Sequence, residues 1–426
     1  MIGIGLLGAG TVGGTLVRRL VDDRSAIATK TGLDLRITKI GVRSLDKARP
    51  FEIGEGVLTD DLNAVVDHPD VHLVVELMGG LEPAGDLVLR AIEAGKPVIT
   101  ANKELIAIRG PELIAAASSR GVPLLFEAAV GGGIPIIRPL SETLAGEKIT
   151  SVLGIVNGTT NYILTQMAEH GTSYGDALAA AQELGYAEPD PTADVTGADA
   201  AAKASILASL AFGTWVGRDQ VHHEGIDNLS AEDITAAQRL GYTVKLLAIA
   251  DQTDAGVCAR VYPAMLPNDH PLAAIRGATN AVYVAGPAID QLLFAGPGAG
   301  GDPTATAVLG DVIDAAREIL AGAQAALRIQ FSPGEIVDFG EIVTQWYIRL
   351  EVADQPGVLA QIAGAFGDAQ VSIESMSQEG RGDAARLIII THQAKERQQR
   401  AAVAALEGLD IVRDVGAIIR VEGPTS

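Results

Sequence analysis

Residues 2–23 read IGIGLLGAGTVGGTLVRRLVDD. Ile2–Leu7 is a short apolar run, Gly8–Gly14 is a glycine-rich turn, and the residues that follow space their apolar side chains as a helix does. The order is strand, turn, helix, with Gly8-x-Gly10-x-x-Gly13 at the turn. A lone GxGxxG carries little; in this context it points to a dinucleotide. The first glycine permits a tight turn, the second lets a pyrophosphate approach the backbone, and the third lets helix and strand pack closely. The helix N-terminus then offers unpaired N–H groups and a partial positive charge to phosphate. This stretch predicts an α/β protein with an N-terminal Rossmann-type doubly wound sheet over residues 1–133. A glycine turn without a ligand is the competing reading, and the flanking strand and helix argue against it.

Outward from that turn, the second strand spans 35–42 and ends Gly41-Val42-Arg43-Ser44. A site for NAD commonly has a carboxylate here for the ribose 2′-hydroxyl. None is present. Arg43 could meet a 2′-phosphate, which favours NADP, or be an ordinary solvated arginine. Strands at 71–77 and 97–100 alternate with a helix at 86–94, and the second of these strands runs into Ala101-Asn102-Lys103-Glu104. Ligands of doubly wound sheets lie at the carboxyl ends of strands, so Lys103 is a site candidate. A helix is expected over 111–120 and a strand over 123–128. That strand leads into Glu127-Ala-Ala-Val130-Gly-Gly-Gly133-Ile134-Pro135, a hinge or a set of carbonyls fit for a hard cation.

The pattern changes near residue 136. A strand over 149–156 ends in Asn157-Gly158-Thr159-Thr160-Asn161, a turn whose donors suit a carboxylate. Residues 186–210 read YAEPDPTADVTGADAAAKASILASL. Asp199 and Lys203 are i and i+4 on a helix and so share a face. Ile206, Leu207 and Leu210 continue that face. A solvated pair would sit opposite the apolar stripe; this one lies in line with it, at the mouth of a cleft. Glu188 and Asp194, just upstream, can converge on the same space. The plainer reading is a surface ion pair worth about 0.3–0.5 kcal/mol.

Short strand-like runs at 244–249, 257–262, 282–284 and 292–294 predict a mixed or antiparallel sheet whose open face could carry an oligomer interface. Gly296–Thr304 then opens a long helix over 304–320, and glycines ahead of it could approach the cofactor or simply turn the chain. After a linker, residues 346–421 read strand, helix, strand, strand, helix, strand, a ferredoxin-like split pattern. Its first loop is Asp354-Gln355-Pro356-Gly357-Val358-Leu359.

With 426 residues, 48% of them hydrophobic, the chain can bury two or three cores. A net charge of −21 argues against nucleic acid or an anionic membrane as partner. Met1 runs straight into a strand, no apolar run is long enough to span a bilayer, and the single Cys258 allows no internal disulfide. A cytoplasmic protein is expected. His222-His223-Glu224 lacks zinc spacing and reads as a surface loop. Cys258 reads as a packed core residue.

By its motifs the chain resembles homoserine dehydrogenase over essentially its full length. They are GAGTVGG at the N-terminus, Ala101-Asn102-Lys103, GIVNGTTNYI at 154–163, GYAEPDPTADVTGADAAAK at 185–203 and GPGAGGDPTA at 296–305. The terminal module resembles an ACT domain. The resemblance implies NAD(P)H-dependent reduction of L-aspartate 4-semialdehyde to L-homoserine. It implies that Lys203 protonates the developing alkoxide, Asp199 orients it, and Lys103 lies near nicotinamide and substrate. Glu188 would bind the substrate amino group with Asp194 in support, beside Gly158 and Thr159. Gly8, Gly10, Thr11, Val12, Gly13, Arg43 and Gly300 would contact NADP(H) or NAD(H). Glu127, Val130, Gly132 and Ile134 match a sodium site. Asp354, Gln355, Gly357, Val358 and Leu359 would form a regulatory loop for L-threonine, or the module would be only structural. The implied division is 1–133 for dinucleotide, 134–303 for substrate and oligomerisation, 304–322 as a helix returning to the first domain, 323–344 as linker and 345–426 as ACT-like domain. A homodimer or homotetramer is expected. Two other readings stay open: a semialdehyde dehydrogenase acting through a cysteine thioester, for which Cys258 is poorly placed, and a non-catalytic sensor of dinucleotide and amino acid.

Overall fold

The computed structural model describes residues 1–49, 51–322, 329–380 and 385–423. They form two compact units. One holds Met1–Thr150, Ser205–Asp219 and Asn280–Gly334; the other holds Ser151–Ala204, Gln220–Thr279 and Glu335–Ser426. Residues 323–328 of the expected linker, and 381–384 and 424–426 of the terminal module, lie outside the described residues. Among the described residues no helix is long and apolar enough to cross a membrane.

The first unit begins β1 (Ile2–Leu7), α1 (Thr11–Asp22), α2 (Arg24–Thr31), β2 (Leu35–Gly41), β3 (Leu58–Thr59), α3 (Leu62–Val66), β4 (Leu73–Glu76), α4 (Ala84–Glu93), β5 (Val98–Thr100), α5 (Lys103–Arg120) and β6 (Leu124–Leu125). The strands are ordered β3-β2-β1-β4-β5-β6 and every pair is parallel. All six residues of β1 are buried, as expected for a strand covered on both faces. The chain reverses direction across the sheet between β1 and β4, which opens a crevice at their carboxyl ends. Helix α5 starts eight residues earlier than the expected 111, with Pro111 inside it. A proline removes one internal hydrogen bond, yet the helix is already nucleated at Asn102, whose side chain caps it by accepting from Leu105 N at 3.1 Å.

Next come β7 (Ser151–Ile155), α6 (Gly158–His170), α7 (Tyr174–Glu183), α8 (Thr192–Val195), α9 (Ala198–Phe212), β8 (His222–His223), α10 (Ala231–Arg239), β9 (Tyr242–Thr253) and β10 (Gly256–Pro267). Asn157 caps α6 and Ser173 caps α7, the latter as its S-x-x-D spacing requires. The strands β9 and β10 are twelve residues each, about twice the length their apolar runs imply, and pair antiparallel from Thr253↔Gly256 to Tyr242↔Pro267. The added length lies mainly past residues 249 and 262, where Asp251, Gln252 and Thr253 of β9 and Pro263 and Pro267 of β10 break the apolar runs yet keep their places in the ladder.

The chain then adds β11 (Thr279–Gly286), β12 (Asp290–Pro297) and α11 (Gly301–Ala321). Ala305, Val308, Leu309, Val312 and Ala315 of α11 pack in one core with Leu16, Val17 and Leu20 of α1.

The terminal module comprises β13 (Val343–Val352), α12 (Val358–Asp368), β14 (Ile373–Glu379), β15 (Ala385–Thr391), β16 (Ala394–Lys395), α13 (Glu396–Glu407) and β17 (Val412–Val421). It is the expected βαββαβ order with one short extra strand. Its core gathers Trp346, Ile348, Leu350, Phe366, Leu387 and Leu406. At one edge β17 pairs parallel with β10, so the second unit carries a continuous run β7-β9-β10-β17-β13-β15-β14.

Candidate active site

In the first unit the glycine turn has the shape a pyrophosphate needs. Gly8 has φ +96°, and a side chain there would meet the Leu77 carbonyl oxygen at 2.7 Å. One at Gly13 would meet the Gly8 carbonyl oxygen at 2.2 Å, so helix and turn could not close. Around Gly10 nothing lies within 4 Å of an added side chain; that side is open. Gly10 also precedes α1 without a side-chain cap, and Thr11 and Val12 form the first turn. Gly300, with φ +119°, stands at the start of α11 in the same way. A side chain at Gly301 would meet Thr15 Oγ1 at 3.0 Å and Thr11 Cγ2 at 3.3 Å. Two helix N-termini therefore open side by side, each with a partial positive charge. Arg43 is exposed just past the end of β2.

The carboxyl ends of β4 and β5 are tied by a residue that sequence reasoning missed. Glu76 is fully buried; its Oε1 accepts from Met78 N at 2.7 Å and Gly79 N at 3.0 Å, and its Oε2 from Thr100 Oγ1 at 2.6 Å. Asn102 Nδ2 donates to the Gly80 carbonyl at 2.6 Å. These bonds fix the loop ahead of Lys103, the first residue of α5. A carboxylate in an otherwise apolar strand was the available signal.

Glu127 is buried, but its carboxylate accepts three backbone N–H groups, from Ile136, Ile137 and Arg138, at 2.6–2.9 Å. Burial pushes it above the usual carboxylate range against those bonds. Among the described residues no group of three or more His, Cys, Asp or Glu could hold a metal. A cation here would rest on main-chain carbonyls, those of Glu127, Val130, Gly132 and Ile134.

In the second unit the Asp199–Lys203 pair lies inward, with side chains only 9% and 12% exposed. Lys203 Nζ donates to Asp199 Oδ2 and to the Val156 carbonyl, both at 2.7 Å. Asn157 Nδ2 bridges the carboxylates, donating to Asp194 Oδ1 at 2.7 Å and Asp199 Oδ2 at 3.0 Å. Its own Oδ1 caps α6 at Thr160 N, 2.9 Å. Thr159 Oγ1 lies 2.6 Å from the Tyr186 carbonyl and 3.2 Å from Asp194 Oδ2. Burial raises the Asp194 carboxyl, and the Asp199 charge adds to that, while the Asn157 and Thr159 bonds oppose it. Gly158 opens α6 beside this set. Glu188 stands exposed on the preceding loop, outside these bonds. The asparagine bridge was invisible to sequence because Asn157 and Asp199 are 42 residues apart.

The expected surface loop at His222–Glu224 is instead partly buried. His222 stacks on Phe339 with ring centroids 3.8 Å apart, and Glu224 binds Arg420. Its partners come from the far end of the chain. Cys258 is buried in β10, as expected. In the terminal module, a cavity of about 300 Å³ is lined by Asp354, Gln355, Gly357, Val358, Leu359 and Gln378 among others.

A doubly wound sheet with this turn, in a chain that also pairs a buried lysine with carboxylates, defines an NAD(P)-dependent oxidoreductase acting on a CH–OH group. The family model described as the NAD binding domain of homoserine dehydrogenase matches residues 8–127, that described as homoserine dehydrogenase matches 135–313, and that of the ACT domain matches 346–410. A homoserine dehydrogenase of Corynebacterium glutamicum is 46% identical over 426 residues, covering 99% of this chain and 96% of the relative. A crystal structure of a homoserine dehydrogenase from Thiobacillus denitrificans is 42% identical with a TM-score of 0.92, covering 99% of this chain and 98% of that one. A hyperthermophilic archaeal homoserine dehydrogenase in complex with NADPH is 27% identical with a TM-score of 0.61, covering 74% of this chain and 98% of that one. The chain belongs to the homoserine dehydrogenase family.

Proposed function

We propose that this chain interconverts L-homoserine and L-aspartate 4-semialdehyde with Lys203 as the proton-transferring residue. The observation that carries this reading is the ammonium of Lys203 held at 2.7 Å by both Asp199 and the Val156 carbonyl. An ammonium has three donors. These partners use two, which leaves one for a substrate oxygen. In the reducing direction negative charge develops on that oxygen, and a nearby ammonium stabilises it and gives up a proton. In the oxidising direction the same group takes the hydroxyl proton. Asp199 orients the ammonium, and the Asn157 carboxamide holds Asp194 and Asp199 together despite their like charge.

Glu188 and Asp194 receive the substrate α-ammonium, and the turn at Gly158 and Thr159 receives its α-carboxylate. The nicotinamide, when bound, takes or supplies the hydride. Gly8, Gly10, Thr11, Val12, Gly13 and Gly300 hold the dinucleotide phosphates, Arg43 a 2′-phosphate, so that NADP is preferred to NAD, and Lys103 lies on the nicotinamide side. A sodium ion on the carbonyls of Glu127, Val130, Gly132 and Ile134 belongs to the same reading. So does the division into 1–133, 134–303, 304–322, 323–344 and 345–426. L-Threonine acts as an effector at the Asp354–Leu359 loop, and the protein works as a cytoplasmic homodimer or homotetramer.

The test is oxidation of L-homoserine with NADP and then NAD, with Lys203→Ala alongside. The expected result is activity in the native protein, faster with NADP, and a loss of at least about a hundredfold in the variant. Native-like turnover by Lys203→Ala would overturn the assignment. Titration with L-threonine should slow the rate and raise Tm; no change in either would remove the effector from this reading.

A further inference from the structure

Glu224 is held from both sides. Its backbone N donates to the Val261 carbonyl of β10 at 2.8 Å. Its carboxylate accepts from Arg420 Nη1 and, at 2.7 Å, Nη2, and it lies 2.8 Å from His222 Nε2. Arg420 is 2% exposed and belongs to β17, the last strand of the terminal module. It also donates from Nε and Nη2 to the fully buried Glu396 of α13, at 3.1 and 3.2 Å. Its guanidinium lies 4.7 Å from the Trp346 ring centre and 5.0 Å from that of Tyr262. With Phe339 at 5.8 Å, this arginine is held by two carboxylates and three rings.

The segment after Glu224 abuts the catalytic turn backbone to backbone. Ile226 N donates to the Val195 carbonyl at 2.9 Å. A side chain at Gly225 would come within 2.1 Å of the Val195 carbonyl oxygen and 2.7 Å of Thr196 Cα. One at Gly197, whose φ is +82°, would come within 2.9 Å of the Glu224 carbonyl oxygen. Only glycines fit this contact. The turn it supports, 195–197, is the whole of the chain between Asp194 and the first turn of α9, which carries Asp199.

We propose that Glu224 and Arg420 are positioning residues for the reaction: β17 clamps residues 224–226, and they hold Asp194 and Asp199 at the spacing that Asn157 bridges. The inference rests on the reading of Asp194, Asp199 and Lys203 given above. It gives the terminal module a mechanical hold on the reacting groups that needs no contact with substrate. A cluster that served stability alone would have no reason to reach the catalytic turn through a contact restricted to glycine.

The test uses the full chain as Glu224→Gln, Arg420→Met and the double variant, with Lys203→Ala as reference, assayed well below each Tm. Glu224→Gln should lower kcat/KM for L-homoserine about tenfold while dinucleotide Kd stays within about twofold. The double variant should lose no more than the worse single one, because the two residues act through each other. A fall in Tm with kcat/KM unchanged would overturn the proposal, and so would losses that multiply. Should Arg420→Met fail to fold, Glu224→Gln, which keeps the side-chain size and one acceptor, decides alone. Native-like activity of Lys203→Ala would overturn the site reading and the clamp with it. An inactive Lys203→Ala beside a native-like Glu224→Gln would overturn the clamp alone.

Discussion

Two ion clusters of the second unit make a useful contrast. Asp199 and Lys203 are four residues apart on one helix. Glu224 and Arg420 are 196 residues apart: Arg420 belongs to β17, and Glu224 directly follows β8, which pairs with β10. The first cluster is small, and its two side chains are 12% and 9% exposed. In the second, one guanidinium serves two carboxylates among three rings. Breaking a buried charge pair by removing one partner costs about 3–5 kcal/mol, far above the few tenths of an exposed helical pair. Burial therefore sets the Asp199–Lys203 pair apart from an exposed helical pair, while the remote pair joins residues from distant parts of the chain.

The contrast can be pressed hardest at Asp199. Asp199→Ala leaves Lys203 without its orienting carboxylate, and kcat for L-homoserine oxidation should fall about a hundredfold with dinucleotide binding intact. A loss in KM alone would mean that Asp199 binds substrate rather than orienting the lysine. Asn157→Ala should come next. It removes the bridge and the α6 cap together, so kcat/KM should fall about tenfold and thermal unfolding should show a loss of about 0.5–2 kcal/mol. A stability loss without a kinetic one would reduce Asn157 to a cap.

The smallest effect concerns acid. His222 and Arg420 hold the Glu224 carboxyl down to about 2, against an ordinary 4.5, although burial opposes them. A depressed native pKa gives stability that is present above pH 4.5 and lost as pH falls towards about 2. The Tm advantage of the native protein over Glu224→Gln should therefore be flat near neutrality and shrink across that window. An advantage independent of pH would mean that shape, not charge, holds the segment.

These clusters also mark what the sequence could and could not reveal. The glycine turn and the Asp199–Lys203 pair were legible because each is local: strand, turn and helix are consecutive, and a four-residue spacing fixes a common face. The ferredoxin-like module was legible from alternation of short apolar runs. Helix α5 began too late in the sequence reading because Pro111 looked like a boundary, whereas the cap at Asn102 decided it. The strands β9 and β10 were read short because Asp251, Gln252 and Thr253 in one, and Pro263 and Pro267 in the other, break the apolar runs although all of them are paired in the ladder. His222–Glu224 was misread because its partners, Phe339 and Arg420, are brought by the tertiary fold alone. Charges inside a core are legible only when their partners lie within a turn or two of helix.

On the proposed reading Lys203 acts on the reacting oxygen, while Glu224 acts only through the turn that carries Asp194. Single-turnover hydride transfer separates the two. Native protein, Lys203→Ala and Glu224→Gln, each loaded with NADP, would be mixed with saturating L-homoserine and followed by the absorbance of the reduced nicotinamide. Transfer should slow by at least about a hundredfold in Lys203→Ala and by about tenfold or less in Glu224→Gln. A native rate in Lys203→Ala, or a greater loss in Glu224→Gln than in Lys203→Ala, would contradict it.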